Sequence, residues 1–316
     1  MVRDYNYESE ISAIRNRFPS VCYSTLHFLD NAATSQTVDT AIKAVSDYHY
    51  NYRSNVHRGG YRIADQAAEI FENARSSVAD LIGVEREGIS FTSGTTQSLN
   101  ILAETFKSVP VVIVTELEHH SNILPWLRQG RTVSNGGIVV IPANDDGSVS
   151  LEDAFKTIDS VSDAALLSIC SVSNLTGIEL PWREIAEYAK QKGMQVSIDA
   201  CQSVAHHALN VPKSVDWVSF SGHKLYASTG TGILYSRNNF ENVHAPIGGG
   251  NPTKVTFDDG YELFSGYHGT EAGTPNVSGV HSLYHACEWI KETTYETIQN
   301  CEEDFFKMLK NNHIFT

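Results

Sequence analysis

Several features that mark other protein classes are missing from this 316-residue sequence. Its five cysteines include no CxxC pair, and their odd number indicates free thiols in a reducing, cytoplasmic compartment rather than a disulfide framework. The first residues show no apolar leader of a secretory signal, and no uninterrupted apolar run approaches the length of a membrane-spanning helix. The sequence also has no internal repeat, low-complexity tract or charge run.

Acidic residues outnumber basic residues in this chain, 37 to 23. The formal net charge is −14, whereas nucleic acids and anionic membranes both attract a basic surface. We therefore expect neither as a general partner. A small anionic ligand is compatible with this charge, because local hydrogen-bond donors hold a phosphate.

Strand-like and helix-like segments alternate along most of the chain. Short apolar runs of strand type occur at residues 89–91, 111–114, 138–141, 165–169, 196–198, 218–220 and 232–235. Helix-like segments occur at residues 63–81, 96–106, 151–158 and 182–192, and a last helix is expected near 279–309. The alternation predicts an α/β fold, in which a mostly parallel sheet is covered by helices on both faces. Ligands of such sheets bind beyond the carboxyl ends of the strands.

An acid and an amine stand at two of these strand ends. Asp199 follows the apolar run at 196–198, and Lys224 comes shortly after the run at 218–220. Pyridoxal 5'-phosphate (PLP) needs this combination, a lysine for a Schiff base with its aldehyde and an acid that keeps its ring nitrogen protonated. We therefore predict that Lys224 is the Schiff-base lysine and that Asp199 is the partner of the ring nitrogen.

Three further motifs lie between strands and helices, each with a purely structural alternative. Residues 93–97 (SGTTQ) suit a phosphate at a helix start, or a plain helix cap. His119 within 118–122 (EHHSN) suits stacking on a ring and proton transfer, or else a surface turn; no HExxH-type spacing supports a metal site. Asn174 within 173–177 (SNLTG) suits a donor to the phenolic oxygen of PLP, or a turn. Cys201 is interpreted as a small buried residue rather than a nucleophile.

Taken together, these motifs resemble the class V aminotransferase family within the fold type I PLP enzymes. The nearest branch is similar to the group II cysteine desulfurases and selenocysteine lyases. Eight stretches match in the order of the family: 29–33 (LDNAA), 55–59 (NVHRG), 93–97 (SGTTQ), 118–122 (EHHSN), 199–202 (DACQ), 221–224 (SGHK), 248–250 (GGG) and 271–276 (EAGTPN). They cover nearly the whole chain.

The resemblance implies roles for the residues around the PLP ring. Lys224 would carry PLP and move protons at the substrate α-carbon, and Asp199 would pair with the ring nitrogen. His119 would stack on the ring as a second catalytic residue. Gln202, near Asn174, would hydrogen-bond the phenolic oxygen.

The resemblance also implies a phosphate site, a substrate site and a second subunit. Thr274 would reach the phosphate of the neighbouring subunit, so the protein is expected to be a homodimer with shared active sites. The substrate would be an amino acid, with His57 and Asn31 near it, and a sulfur-acceptor protein is a possible partner. The expected phosphate ligands within one subunit are Thr95, Thr96, Ser221 and His223.

The chain departs from the family pattern towards its end. Cysteine desulfurases of this branch carry the sulfur-accepting cysteine and a carboxylate-binding arginine in a C-terminal subdomain, and neither Cys287 nor Cys301 sits in such a motif. Gly269 and Thr270 stand where the family usually has an arginine. We therefore expect an N-terminal segment at 1–25, a PLP-binding large domain at 26–290 and a C-terminal helix at 291–316, in a fragment or in a divergent member.

Three functions are compatible with these residues. The first is a cysteine desulfurase-like enzyme that converts L-cysteine to L-alanine and enzyme-bound sulfur. The second is a catalytically impaired homologue that binds PLP or a partner protein. The third is a PLP-dependent lyase or epimerase that needs no enzymic thiol.

Overall fold

The computed structural model of the protein describes residues 7–22, 27–56, 59–161, 165–243, 248–250, 252–258, 260–293 and 295–311. The helices are α1 (Tyr7–Asn16), α2 (Pro19–Cys22), α3 (Asp39–Asp47), α4 (Arg62–Ile82), α5 (Thr95–Thr105), α6 (Leu124–Arg128), α7 (Leu151–Asp159), α8 (Trp182–Gln191), α9 (Tyr267–Thr270), α10 (Val277–Thr293) and α11 (Tyr295–Asn311). The strands are β1 (Ile89–Thr92), β2 (Val111–Thr115), β3 (Ile138–Ile141), β4 (Ala165–Cys170), β5 (Gln195–Asp199), β6 (Trp217–Ser221), β7 (Gly232–Ser236), β8 (Pro252–Thr256) and β9 (Gly260–Leu263).

A seven-stranded sheet forms the centre of the fold, in the order β1-β7-β6-β5-β4-β2-β3. The strands from β3 to β6 in this order are parallel, and β7 runs antiparallel to both β6 and β1. Every residue of β4, β6 and β7 is buried, which is why these strands read as continuous apolar runs. The predicted α/β fold with a mostly parallel sheet is therefore confirmed.

Helices cover both faces of this sheet. On one face α10 packs against α3 and α4, and its buried Trp289 contacts Phe18, with ring centroids 5.3 Å apart. On the other face a smaller apolar cluster forms beneath α5 and α6 around Leu102 and the fully buried Trp126. Burying an apolar helix face in this way provides most of the stability of an α/β domain.

The region after β7 differs from the sequence-based expectation in two ways. The expected single helix near 279–309 is two helices, α10 and α11. The expected domain boundary at 290/291 would lie within α10 and stays a prediction. A two-stranded hairpin of β8 and β9, which no strong alternation of apolar residues predicts, precedes them. Its strand residues are exposed or half-buried, so the pattern that marks buried strands is missing.

A close contact between two glycines sets the position of α5 relative to the sheet. A Cβ atom on Gly232, the first residue of β7, would lie 2.3 Å from the Cα atom of Gly94, the residue before α5. Only glycine permits the two backbones to approach this closely. The start of α5 therefore lies against the sheet, next to the end of β6, which pairs with β7.

Within the described part of the chain, none of the helices combines the length and apolar character needed to cross a membrane.

Candidate active site

The carboxyl ends of neighbouring parallel strands open into a cavity of about 400 Å³. Strands β2, β4, β5 and β6 are adjacent, so the residues that follow them meet at one edge of the sheet. Nine of the residues predicted for the cofactor line this cavity: Thr95, Thr96, His119, Asn174, Asp199, Gln202, Ser221, His223 and Lys224. The structure thus brings together residues that are more than 100 positions apart in sequence.

Asp199 ends β5 and brings a buried carboxyl group to the cavity. The Cys201 amide donates to Oδ1 at 2.9 Å, and the other oxygen receives no hydrogen bond from any residue that the structure describes. Burial raises the pKa of Asp199 to about 6, although the Cys201 amide and the Lys224 ammonium act in the opposite direction. A cationic N–H group in the cavity would both neutralise this carboxylate and satisfy its second oxygen.

Lys224 ends the short 3₁₀ turn Gly222–Lys224 that follows β6. Its side chain is half-buried in the cavity wall, and among the described residues none forms a hydrogen bond or an ion pair with its amine. The charge of Lys224 nevertheless acts on its surroundings, because it contributes to lowering the pKa of both His119 and His223. The amine is therefore free to react with a ligand in the cavity.

The start of α5 carries a group of hydroxyls that face the end of β6. The Thr95 amide donates to Ser221 Oγ at 2.8 Å, and the Thr95 hydroxyl lies 2.7 Å from the same oxygen. Thr96 Oγ1 lies 2.9 Å from Ser121 Oγ. Together with the amide groups at a helix N-terminus, these hydroxyls form a site that suits an anion such as a phosphate.

Two histidines border the cavity. The Ser121 amide donates to His119 Nδ1 at 3.2 Å, so the neutral ring of His119 carries its proton on Nε2. His223 Nδ1 lies 3.0 Å from Thr34 Oγ1. Burial, with a further contribution from the Lys224 charge, lowers the pKa of both rings, which favours their neutral form at neutral pH.

The remaining predicted site residues are distributed differently. Gln202 donates through Nε2 to the carbonyl of Ala32 at 2.9 Å, whereas the amide of Asn174 has no hydrogen bond to the described part of the chain. Asn31 lines a separate, mainly apolar groove between the N-terminal helices and α11, although its neighbours Asp30 and Ala32 line the polar cavity.

The structure does not bring Thr274 to this cavity. It lines a second cavity of about 450 Å³ together with Asn55, Phe264 and Glu271. His57 lies outside the described residues. The roles of Thr274, Asn31 and His57 therefore stay predictions.

Glu118 is a buried carboxyl group to which the sequence pattern assigned no role. Thr115 Oγ1 (2.6 Å) and the Cys170 amide (3.0 Å) donate to its Oε1, and Asn122 Nδ2 (2.7 Å) donates to its Oε2. Burial raises its pKa to about 7 against these hydrogen bonds, and the charge of Asp199 adds to the increase. A glutamate directly before two histidines looks solvated in sequence, so only the fold reveals its burial.

The cavity also contains two cysteines, Cys170 and Cys201. Burial raises the pKa of both thiols, and the neighbouring carboxylates raise it further. Thr95 Oγ1 lies 3.3 Å from the sulfur of Cys201. Both thiols are therefore protonated at neutral pH, which makes them poor nucleophiles. No group of three potential metal ligands is found among the residues that the structure describes.

A second buried ion cluster, also missed from sequence, lies against β1, an edge strand of the sheet. Arg75 of α4 is fully buried and donates to both carboxylate oxygens of Glu271, at 2.7 and 2.9 Å. It also donates to the carbonyl of Ile89 at 2.7 Å, and its guanidinium lies 3.7 Å from the ring centroid of Tyr267. Glu271, which begins the 271–276 motif, thus forms an ion pair with a residue 196 positions away in sequence.

Known proteins are similar to this chain in both sequence and fold. Residues 27–312 match the family model described as aminotransferase class V. A probable cysteine desulfurase of Pyrococcus abyssi is 36% identical over 288 residues, which make up 89% of this chain and 71% of that protein. The apo structure of a cysteine desulfurase from Thermococcus onnurineus NA1 is similar with a TM-score of 0.81 at 35% identity, over 89% of this chain and 71% of that one. The cysteine desulfurase CsdA of Escherichia coli is similar with a TM-score of 0.76 at 30% identity, over 90% and 73%.

Proposed function

The chain belongs to the class V aminotransferase family, with the fold of its cysteine desulfurase-like members, and we propose on that premise that it binds PLP and acts on an amino acid. The observation that carries this proposal is the presence of Lys224 and Asp199 in one cavity. The amine of Lys224 is unpaired among the described residues, and the buried carboxyl of Asp199 has one oxygen without a donor.

The described residues fit PLP. A cavity of about 400 Å³ lies within the range of small-ligand sites. The unsatisfied oxygen of Asp199 suits the protonated ring nitrogen, and the start of α5 with Thr95, Thr96 and Ser221 suits the phosphate. Asn174 has an amide available for the phenolic oxygen, and His223 is a further donor for the phosphate.

When bound, PLP supplies an electron sink that stabilises a carbanion at the α-carbon of an amino acid. Lys224 would hold PLP through its aldehyde, and its amine would move the proton at the substrate α-carbon. Asp199 would keep the proton on the ring nitrogen. His119 holds the ring by stacking, and its neutral imidazole is able to accept and return a proton.

Desulfuration of L-cysteine would need a thiolate that takes the substrate sulfur. Neither Cys170 nor Cys201 meets this need, because burial keeps both thiols protonated. In a desulfuration by this protein, the sulfur would therefore pass to a thiol outside the described cavity, such as that of a sulfur-acceptor protein. The five free cysteines suit a reducing compartment such as the cytoplasm.

A second subunit would complete the site. Thr274 lines a separate cavity, and the neighbouring β8–β9 hairpin exposes Val255, Phe257 and Tyr261. Exposed apolar groups on a hairpin favour contact with another protein surface. We propose that this surface meets a second copy of the chain, in which Thr274 binds the phosphate of its neighbour. A monomer in light scattering of the PLP-loaded protein would contradict this dimer.

A PLP-dependent lyase is the second candidate, and the protonated state of both cavity thiols favours it. The two reactions give different products from L-cysteine. Desulfuration replaces the sulfur by a proton and gives alanine, with the sulfur passed to a thiol. Elimination releases hydrogen sulfide and, after addition of water, gives pyruvate and ammonia.

Absorption and product analysis of the purified protein test the proposal. Wild type mixed with PLP should gain the visible absorption band of lysine-bound PLP, Lys224→Ala should lack it, and the exposed-lysine control Lys213→Ala should retain it. With L-cysteine and an added thiol, alanine would support desulfuration and pyruvate would support the lyase. A wild type without the band, or a Lys224→Ala variant that keeps it, would refute the proposal.

A further inference from the structure

Glu118 is a buried carboxyl group for which the proposed chemistry has no role. Its carboxyl accepts three hydrogen bonds, from the Thr115 hydroxyl, the Asn122 side chain and the Cys170 amide. Burying a carboxyl group is costly, and three donors compensate for much of that cost. A residue that only formed a turn would not need such an arrangement.

The three donors belong to three different segments. Thr115 ends β2, Asn122 ends the turn His120–Asn122 that follows His119, and Cys170 ends β4. Asn122 is fixed in addition by Ser168 of β4, because its Nδ2 donates to the Ser168 carbonyl at 3.0 Å and its Oδ1 accepts the Ser168 hydroxyl at 2.6 Å. The carboxyl of Glu118 thus fastens the His119 segment to the end of β4.

The same carboxyl also lies close to Asp199. Cys170, whose amide it accepts, is the register partner of Asp199 on the adjacent parallel strand. Parallel neighbours in a sheet are about 4.8 Å apart. The titratable groups that face this pair are Cys170 on β4, Cys201 after β5 and Lys224 after β6, with His119 on the segment of Glu118 itself.

We propose that Glu118 is a positioning residue of the PLP site, which fixes the His119 segment against β4 and places a second buried carboxyl group beside Asp199. This inference rests on the proposed function for its meaning in catalysis. Its geometry does not depend on that function.

Two separable consequences follow. Loss of the hydrogen bonds should loosen the His119 segment and weaken the binding of PLP. Loss of the charge alone should affect protons instead: an anion near the PLP-bound lysine favours its protonated form, so removing that anion lowers the pH at which this proton is lost.

Two substitutions at Glu118 separate these consequences in the PLP-loaded protein. Glu118→Gln keeps an oxygen for Thr115 and Cys170 and loses the bond from Asn122, whose Nδ2 still donates to the Ser168 carbonyl, so its Kd for PLP should stay within about threefold of wild type. The midpoint of its visible absorption band should move to lower pH by about half a unit to one unit, the effect of one charge several ångströms away. Glu118→Ala should show the same movement and, in addition, a Kd about tenfold higher.

Asp216→Asn is the matched control, because Asp216 is an equally buried carboxyl group. It lies just before β6, at the amino end of that strand, whereas the cavity lies at the carboxyl end. It should leave both the Kd and the midpoint unchanged. Should Glu118→Gln not fold, Thr115→Val removes one donor to the same carboxyl and should shift the midpoint in the same direction. Variants of Glu118 with the Kd and midpoint of wild type would overturn the inference.

Carboxyl ¹³C NMR of the PLP-free protein tests the placement without the cofactor. Glu118 should titrate near pH 7, and Asp199→Asn should lower its midpoint by about half a unit or more, whereas Asp216→Asn should not. A Glu118 midpoint that does not respond to Asp199→Asn would refute the inference. A wild type that binds no PLP would refute the proposed function alone, since this titration would still decide the placement of Glu118.

Discussion

Two clusters of buried ionisable groups lie in the same domain and differ in whether their charges are paired. In the Arg75 cluster, the guanidinium meets both oxygens of Glu271 and the carbonyl of Ile89. In the cavity cluster, the carboxyl groups of Asp199 and Glu118 are buried near each other, and among the described residues no cation forms an ion pair with either.

We infer from this difference that the Arg75 cluster serves the fold and that the cavity cluster is prepared for a ligand. A buried ion pair with complete hydrogen bonding compensates for its own desolvation, whereas an unpaired buried carboxylate lowers stability. Among the residues that the structure describes, Asp199 and Glu118 at the carboxyl ends of the strands are buried carboxyl groups in this unfavourable arrangement. We infer that a bound cation, the protonated ring nitrogen of PLP, compensates for the charge of Asp199 there.

The largest effect on stability is expected from Arg75→Ala in the Arg75 cluster. It leaves Glu271 buried without its partner, so the free energy of unfolding should fall by about 3–5 kcal/mol. Urea denaturation measures this change. The control is Arg86→Ala, which removes a half-exposed partner of Glu72 and should change the free energy by less than about 1 kcal/mol. Equal effects of the two variants would mean that the Arg75 cluster is not the structural one.

An increase in stability is expected from Asp199→Asn in the PLP-free protein. The pKa of Asp199 is raised from 3.8 to about 6 on folding, so the folded state binds its proton more tightly than the unfolded state. Stability should therefore fall as the pH rises from about 4 to about 6 and stay low above it. Because the substitution removes the carboxyl group, this decrease should disappear, and the free energy of unfolding at pH 8 should rise by about 3 kcal/mol.

The control for this prediction is Asp216→Asn, which should act in the opposite direction. Asp216 is as buried as Asp199, but Lys190 Nζ donates to its two oxygens at 2.6 and 2.8 Å. Its loss should therefore lower stability. Thermal unfolding between pH 4 and pH 8 measures both variants, and a loss of stability in Asp199→Asn at pH 8 would end the distinction between the clusters.

The smallest effect on stability is expected from the loss of the aromatic contact in the Arg75 cluster. Tyr267→Leu keeps an apolar side chain under the Arg75 guanidinium but removes the ring that lies 3.7 Å from it. The free energy of unfolding should fall by about 1–2 kcal/mol, the worth of a desolvated cation–π contact. Tyr267→Phe keeps the ring and should lose less than half as much; if both variants lose the same amount, the hydroxyl and not the ring is responsible.

Sequence was sufficient for the sheet and for most of the polar cavity. Strands buried on both faces give apolar runs that local reading detects, and β4, which is buried throughout, contains the predicted residues 165–169. Parallel strands bring their carboxyl ends to one edge, so Asp199 and Lys224 were expected to meet there. The cavity contains both.

Contacts between distant residues could not be predicted in this way. Arg75 looks like one polar residue on the solvated side of a helix until Glu271, 196 positions later, is placed beside it. The burial of Glu118 could not be predicted either, because its hydrogen-bond donors come from β2, β4 and the turn that follows His119. The β8–β9 hairpin is mostly exposed and has no apolar alternation that would mark it.

The contact between Gly232 and Gly94 links parts of the molecule that serve different purposes. Because a Cβ atom on Gly232 would lie 2.3 Å from the Gly94 backbone, the turn before α5 cannot move towards the sheet, and β7 cannot carry a side chain at that point. Redesign of this turn for another ligand of the cavity is therefore constrained by β7, although no residue of β7 lines the cavity. A library that varies residues 93–97 alone samples only those backbones that β7 already permits.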